Sequence, residues 1–251
     1  MKGRIAFVTG ATSGIGAACA RRFVAEGAKV VAAGRRQERL AELSRELGDA
    51  CHAVALDVRD RRAVERVFGE LPEAFAAVDV LVNAAGGALG IGRADVAQVE
   101  DWEEMIATNV RGLALMTRAA IPGMVARRRG HIVNLGSVAG SYPYPGGNVY
   151  GATKAFVERF SSNLRADLLG HPIRVTNIEP GMVETEFSLV RLGGDRAKAD
   201  AVYAGMKPLG PDDIADLVVF AVTRPPHVNV NRLEVMPVDQ AFAPFAVHRE
   251  G

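Results

Sequence analysis

The chain has 251 residues, 49% of them hydrophobic and 24% charged, with a net charge of +1. That profile excludes a disordered chain, and a near-neutral charge gives no electrostatic case for a nucleic-acid or anionic-membrane partner. Two cysteines without CxxC spacing and five scattered histidines exclude a recognisable metal-ligand pattern, so a metal-free cytoplasmic protein is expected.

Taken in order, residues 4–8 read as a strand, too close to the start for a signal peptide to be expected before it. A helix at 15–26 follows, with Gly27 as its stop. Strands are then expected at 29–33, 52–56, 80–83, 131–135, 174–178 and 232–235. Helical periodicity fills the gaps at 37–47, 61–75, 99–127, 150–169 and 211–223. No apolar run is long enough to span a bilayer. The strands are rich in Val, Ile and Leu without alternation, as in a parallel sheet covered on both faces. The β-α-β-α order, unbroken by any linker, predicts a single α/β domain over 1–251. Its architecture is a doubly wound parallel sheet, the Rossmann fold, with helices on both faces. The stretch 184–209, with Gly193, Gly194 and Gly205, reads as irregular. Its place after a strand end points to a substrate lid, a surface loop being the plain alternative.

Thr9-Gly10-Ala11-Thr12-Ser13-Gly14-Ile15-Gly16 joins the first strand to the first helix. Glycines there allow a sharp turn and a close backbone approach. The helix start at Gly14 offers free N–H groups to a pyrophosphate, with Thr12 and Ser13 as hydroxyl donors. Ile15 lies inside the same turn. The spacing is GxxxGxG. After the second strand comes Gly34 where an NAD-selective site would carry a carboxylate, followed by Arg35, Arg36 and Arg39. Cations at a helix start oppose its dipole unless an anion is present, so these three predict a 2′-phosphate site and NADP(H) as cofactor, a solvated basic helix start being the plain alternative. Asp57, followed by Val58, closes the third strand, where it can accept from an adenine amine or act as a turn Asp. Asn83 ends the fourth strand before Ala84; its amide can tie strand ends together beneath the cofactor.

Tyr150 and Lys154 lie one turn apart on a predicted helix, with Ser137 upstream at a strand end. An ammonium beside a phenol favours the phenolate, so Lys154 is expected to lower the Tyr150 pKa. Tyr150 can then exchange a proton with a substrate oxygen that Ser137 also holds. Asn109, within the long helix, is expected to kink it or to hold a water reaching Lys154. Tyr203 and Lys207 repeat the spacing, but Pro208 is adjacent and no strand-end serine precedes them, so they read as a decoy.

These residues resemble the short-chain dehydrogenase/reductase family over the whole chain. The matching pieces are TGATSGIG, NAAG, the set Asn109, Ser137, Tyr150 and Lys154, and Pro180-Gly181 followed by Val183 and Thr185. Ala84 stands where the family carries a second Asn. The resemblance implies that the 180–185 segment lies along the nicotinamide, with Thr185 at its carboxamide. GRRQERL, VEDWEEMI, GGNVYGATKAFV, HVNVN and the terminal HRE are similar to the bacterial NADP-dependent 3-hydroxy acid dehydrogenases, also called serine or L-allo-threonine dehydrogenases. That implies a small acid with a hydroxyl or carbonyl at C3, malonic semialdehyde among related substrates, and a homotetramer.

A small anionic substrate needs a cation. Arg191 is the first candidate and Arg249 the second, a solvated surface charge being the alternative for each. Competing readings are a reductase of sulfoacetaldehyde or a 3-oxoacyl thioester, with Arg127, Arg128 and Arg129 as a basic patch at the cleft mouth, or an NADPH-sensing protein without turnover.

Overall fold

The computed structural model describes residues 1–242. The chain begins β1 (Ile5–Thr9), α1 (Gly14–Ala25), β2 (Lys29–Gly34), α2 (Gln37–Leu47), β3 (Cys51–Ala55). It continues α3 (Arg61–Glu70), α4 (Glu73–Ala76), β4 (Val80–Asn83), α5 (Val99–Ile106) and α6 (Leu113–Ala126). The remainder is β5 (Gly130–Leu135), α7 (Asn148–Asp167), β6 (Ile173–Pro180), α8 (Glu186–Arg191), α9 (Arg196–Ala201), α10 (Pro211–Thr223) and β7 (Arg232–Val235). The seven strands form one parallel sheet in the order β3-β2-β1-β4-β5-β6-β7.

Both faces of that sheet are apolar because each carries its own core. Along β1, Ala6 and Val8 join one cluster with residues of α1, α2 and α10. Ile5 and Phe7 join the other, with residues of α3, α6 and α7. The strand period of two therefore survives, although every residue of β1 is buried. Phe7 is fully buried and stacks on Phe68 at 5.0 Å between ring centres. A side chain of that kind contributes about 2–3 kcal/mol by leaving water. Arg174, also buried, donates to the carbonyls of Ala221, Val222 and Arg224, which satisfies both its charge and the C-terminal end of α10.

Three expected elements differ in form. The helix expected at 61–75 breaks into α3 and α4, because Leu71 turns extended (ψ 134°) before Pro72. The long helix at 99–127 stays continuous but contains a π-helical turn over Ala107–Gly112, between α5 and α6. The segment 184–209 is not irregular. Thr185 Oγ1 accepts from the N–H of Phe187 at the start of α8, and Asp195 Oδ1 from that of Lys198 at the start of α9. Among the described residues, no helix is long and apolar enough to cross a membrane.

The strand order reverses between β1 and β4, each running to its own side of the sheet. Loops leaving the carboxyl ends of neighbouring strands diverge there and open a crevice.

Candidate active site

The crevice is a cleft of about 980 Å³. At one end Gly10, Gly14 and Gly16 make its floor. A side chain on Gly10 (φ 66°) would meet the Ala84 carbonyl oxygen at 2.8 Å, and one on Gly14 (φ 50°) would sit 3.3 Å from the Thr185 methyl. Gly16 packs directly against the Gly10 carbonyl, leaving no room for a side chain. Ser13 precedes α1 without capping it through its side chain, so the first-turn N–H groups have no side-chain acceptor. A helix start of this kind suits an anion. The wall beside it is Ala84, with Thr9 Oγ1 accepting from the N–H groups of Ala84 and Ala85 at 3.0 and 2.9 Å.

Arg35 and Arg36 line the rim of the cleft and Arg39 stands in the hollow next to it, each within ion-pair reach of an acid. Arg36 donates through Nε and Nη2 to Thr12 Oγ1 and through Nη2 to Ser13 Oγ. Its Nη1 pairs with Glu186 Oε2 at 2.9 Å, and Arg39 Nη1 pairs with Glu186 Oε1 at 2.7 Å. Arg35 lies 3.7 Å from Glu104. Asp57 and Val58 reach the cleft wall, but the Asp57 carboxylate grips Arg59, which also contacts Glu104. That hydrogen bond, with the adjacent charge, holds the Asp57 carboxyl below the usual carboxylate range. Asn83 is buried at the end of β4, beneath the cleft, in the strand-tying place expected for it. Its amide donates to Asn134 Oδ1 at 2.8 Å and Thr117 Oγ1 at 3.0 Å, which ties β4 to β5 and α6.

At the other end, Ser137 leaves β5 and starts a short turn (Val138–Gly140), its Oγ accepting from the Ala139 N–H. Gly140 lets that turn press on α7; a side chain there would meet Ala155 N at 2.8 Å. Tyr150 and Lys154 both line the cleft from α7. Asn109 sits in the π turn, accepting from Gly87 N and donating to Gly87 O and Thr153 Oγ1. Its Oδ1 and Lys154 Nζ both border Gly86.

The charges run against the expectation that Lys154 acidifies Tyr150. Ala88, Met105 and Phe187 surround the phenol, and burial pushes it up to about 12, with the nearby Ser137 hydroxyl pulling the other way. Burial also pushes Lys154 down to about 8, and its Nζ donates to the Leu135 carbonyl at 2.7 Å. Desolvation is the largest cause for both groups and disfavours both charged forms, with the Lys154 Nζ 5.8 Å from the Tyr150 ring centre.

Pro180, Gly181 and Val183 line the cleft along the end of β6, and Thr185 follows with its hydroxyl engaged in capping α8. Thr185 thus lies over Gly14, at the glycine turn. Arg191, at the end of α8, has its guanidinium carbon 5.7 Å from the Tyr150 ring centre and 5.5 Å from that of Tyr144. Its Nε and Nη2 donate to the carbonyls of Gly90 and Gly146. Arg249 lies outside the described residues. The Tyr203 hydroxyl is bonded to Val183 O and Ser188 Oγ, so that pair braces α8 rather than moving protons. Arg127, Arg128 and Arg129 precede β5, at the amino ends of the strands and so at the opposite end of the sheet from the cleft; Arg127 bonds Val78 O and Arg129 pairs with Asp79. They form no patch at its mouth.

Sequence reasoning missed Glu186, Glu104 and Gln240. The Gln240 amide oxygen accepts from the Met182 N–H at 2.8 Å and covers Gly181. The first two sit in the first turn of α8 and the middle of α5, where acids read as ordinary helix residues. Only the surplus of facing arginines signalled them.

An anion cradle and a proton-exchanging phenol sharing one crevice is what dinucleotide-dependent hydride transfer requires of a protein. The chain belongs to the short chain dehydrogenase family, whose model matches residues 4–191, and is an oxidoreductase. It is 56% identical over 247 residues to the NADP-dependent 3-hydroxy acid dehydrogenase YdfG of Escherichia coli (strain K12), covering 98% of this chain and 100% of that protein. It is 51% identical over 250 residues to the serine 3-dehydrogenase of Agrobacterium fabrum, covering 100% of both. A solved closed form of serine dehydrogenase complexed with NADP+ superposes with a TM-score of 0.97 at 56% identity, covering 98% of this chain and 100% of that one.

Proposed function

We propose that the protein transfers a hydride between NADP(H) and C3 of a small 3-hydroxy acid such as serine, L-allo-threonine or 3-hydroxypropionate. The relatives named above carry NADP dependence and 3-hydroxy acid or serine dehydrogenase activity in their names. The uncapped start of α1, the close-packed glycines, Arg35 and Arg36 at the rim and Arg39 beside them fit a dinucleotide with a 2′-phosphate. Gly10, Gly14 and Gly16 would hold the pyrophosphate, Arg35, Arg36 and Arg39 the 2′-phosphate, and Lys154 the nicotinamide ribose. Bound there, the nicotinamide supplies or accepts the hydride.

The chain's own part is proton exchange and orientation. Tyr150 gives its proton to the carbonyl oxygen during reduction and takes one from the alcohol during oxidation. Ser137 hydrogen-bonds the same oxygen as charge develops on it. Asn109 holds Gly87 and Thr153 in place behind Lys154. Residues 184–209 act as a lid over the cleft, within a single domain.

One observation carries the substrate assignment: Arg191 stands over the Tyr150 ring with its Nη1 making no hydrogen bond among the described residues. A carboxylate bonded there places the carbon chain beside the Tyr150 hydroxyl. Reduction of NADP+ is to be followed with L-serine, L-allo-threonine, 3-hydroxypropionate, isethionate and a neutral alcohol. Turnover is expected with at least one carboxylate, and Arg191→Ala should raise its KM about tenfold or more while leaving the KM of the neutral alcohol nearly unchanged. Equal effects on both remove Arg191 from the site, and turnover of isethionate alone replaces the carboxylate reading with a sulfonate one. An equal or better kcat/KM with NAD+ would end the NADP assignment. The homotetramer implied by the resemblance and the cytoplasmic location expected from cysteine usage belong to the same proposal. Val99 and Ile106 on α5, 58% and 47% exposed, give such an assembly an apolar contact, and light scattering reads the mass.

A further inference from the structure

Two arginines that would receive the 2′-phosphate already share a carboxylate from a distant part of the chain. Glu186 lies in the first turn of α8, 150 residues beyond Arg36. One of its oxygens is 2.9 Å from Arg36 Nη1 and the other 2.7 Å from Arg39 Nη1. The rest of the Arg36 fork is bonded to Thr12 and Ser13, so Nη1 is its one branch directed at an acid. These side chains are about half exposed, 42% for each arginine and 38% for the glutamate, and so remain accessible to a ligand anion. Hydrogen bonds from the two arginines hold the Glu186 carboxyl below its usual range, so it carries full charge at neutral pH.

We infer that Glu186 is a specificity-determining residue that shares Arg36 and Arg39 with the cofactor 2′-phosphate and so limits how much more tightly NADP(H) binds than NAD(H). The inference rests on the NADP reading given above. A phosphate that reaches these guanidinium groups meets a like charge on the same two cations and must divide their donors with it. An NAD(H) ribose carries only a hydroxyl there and meets no such competition. Glu186 also belongs to the helix that ends in Arg191, so the contact links the adenosine end of the cleft to its substrate end.

Glu186→Gln keeps the shape and removes the charge. Titration calorimetry of NADP+ and NAD+ with the full-length wild type and the variant separates the effects. The Kd for NADP+ should fall about fivefold in the variant, the scale of a partly exposed ion-pair network, while the Kd for NAD+ stays within about twofold. An unchanged or weaker NADP+ affinity overturns the inference. A change shared equally by both nucleotides also overturns it, because it assigns Glu186 only to pinning α8. A wild type that binds NAD+ as tightly as NADP+ is a different failure, that of the NADP reading itself, and is visible before any variant is made.

Discussion

Tyr150 is held where its proton is hard to lose. The buried phenol is pushed up to about 12, so near neutrality it is almost wholly protonated, present as a proton donor and scarce as a base. Oxidation of an alcohol needs the phenolate, whose fraction rises tenfold per pH unit below the pKa; reduction needs the phenol, which stays fully protonated over the same range. Log kcat/KM for oxidation should therefore climb with a slope near one between about pH 6 and pH 7.5, below the value of about 8 at which Lys154 loses its charge, and the value for reduction should stay nearly flat there. A flat oxidation profile would mean that another group takes the proton. At this scale the sequence was informative about types and silent about balance. The four-residue spacing put Tyr150 and Lys154 on one face, but only the packing of Ala88, Met105 and Phe187 shows how far the phenol is desolvated. Glu186 was invisible for a related reason: its partners are 150 residues away in the chain.

The π turn and the lid helices show what local pattern can and cannot convey. Asn109 was expected to disturb its helix. The structure places it within a π turn, with its amide locking Gly87 and Thr153. Asn109→Ala removes both partners of Gly87 and leaves its polar groups unmatched, so urea denaturation should show a loss of about 2 kcal/mol, with NADP+ affinity weakened as well. A variant as stable as wild type would show that the turn is held by other contacts. The boundaries of α2, α10, β4 and β7 were legible because glycines, prolines and apolar runs bracket them. The helices α8 and α9 were not, because each is six residues long and too short to display a period. Their capping residues Thr185 and Asp195 were the available signals, and the nearby glycines masked them.

Across the whole molecule, the alternation of apolar runs and amphipathic stretches was enough to give a parallel sheet with two cores. It did not give the strand order, which depends on which helices cover which face. The same burial makes the fold sensitive to acid through His131. That ring is pushed down from 6.5 to about 3 by burial, with the charges of Arg174 and Arg4 acting in the same direction. The unfolded chain takes up the proton first, so His131 contributes stability that is fully present above about pH 6.5 and is lost as the pH falls towards about 3. Thermal unfolding should show Tm falling across that window. The fall should be shallower in His131→Gln, even if that variant melts lower throughout; parallel curves would clear His131.

The central claim is that one buried phenol exchanges the proton while the glycine turn and rim arginines bind the dinucleotide independently of it. Comparing Tyr150→Phe with wild type, for NADP+ affinity by calorimetry and for turnover of L-serine or the best acid found, tests it most directly. The NADP+ Kd of Tyr150→Phe should stay within about twofold of wild type and its kcat should fall by about a thousandfold. A Tyr150→Phe enzyme that keeps most of its kcat would contradict it.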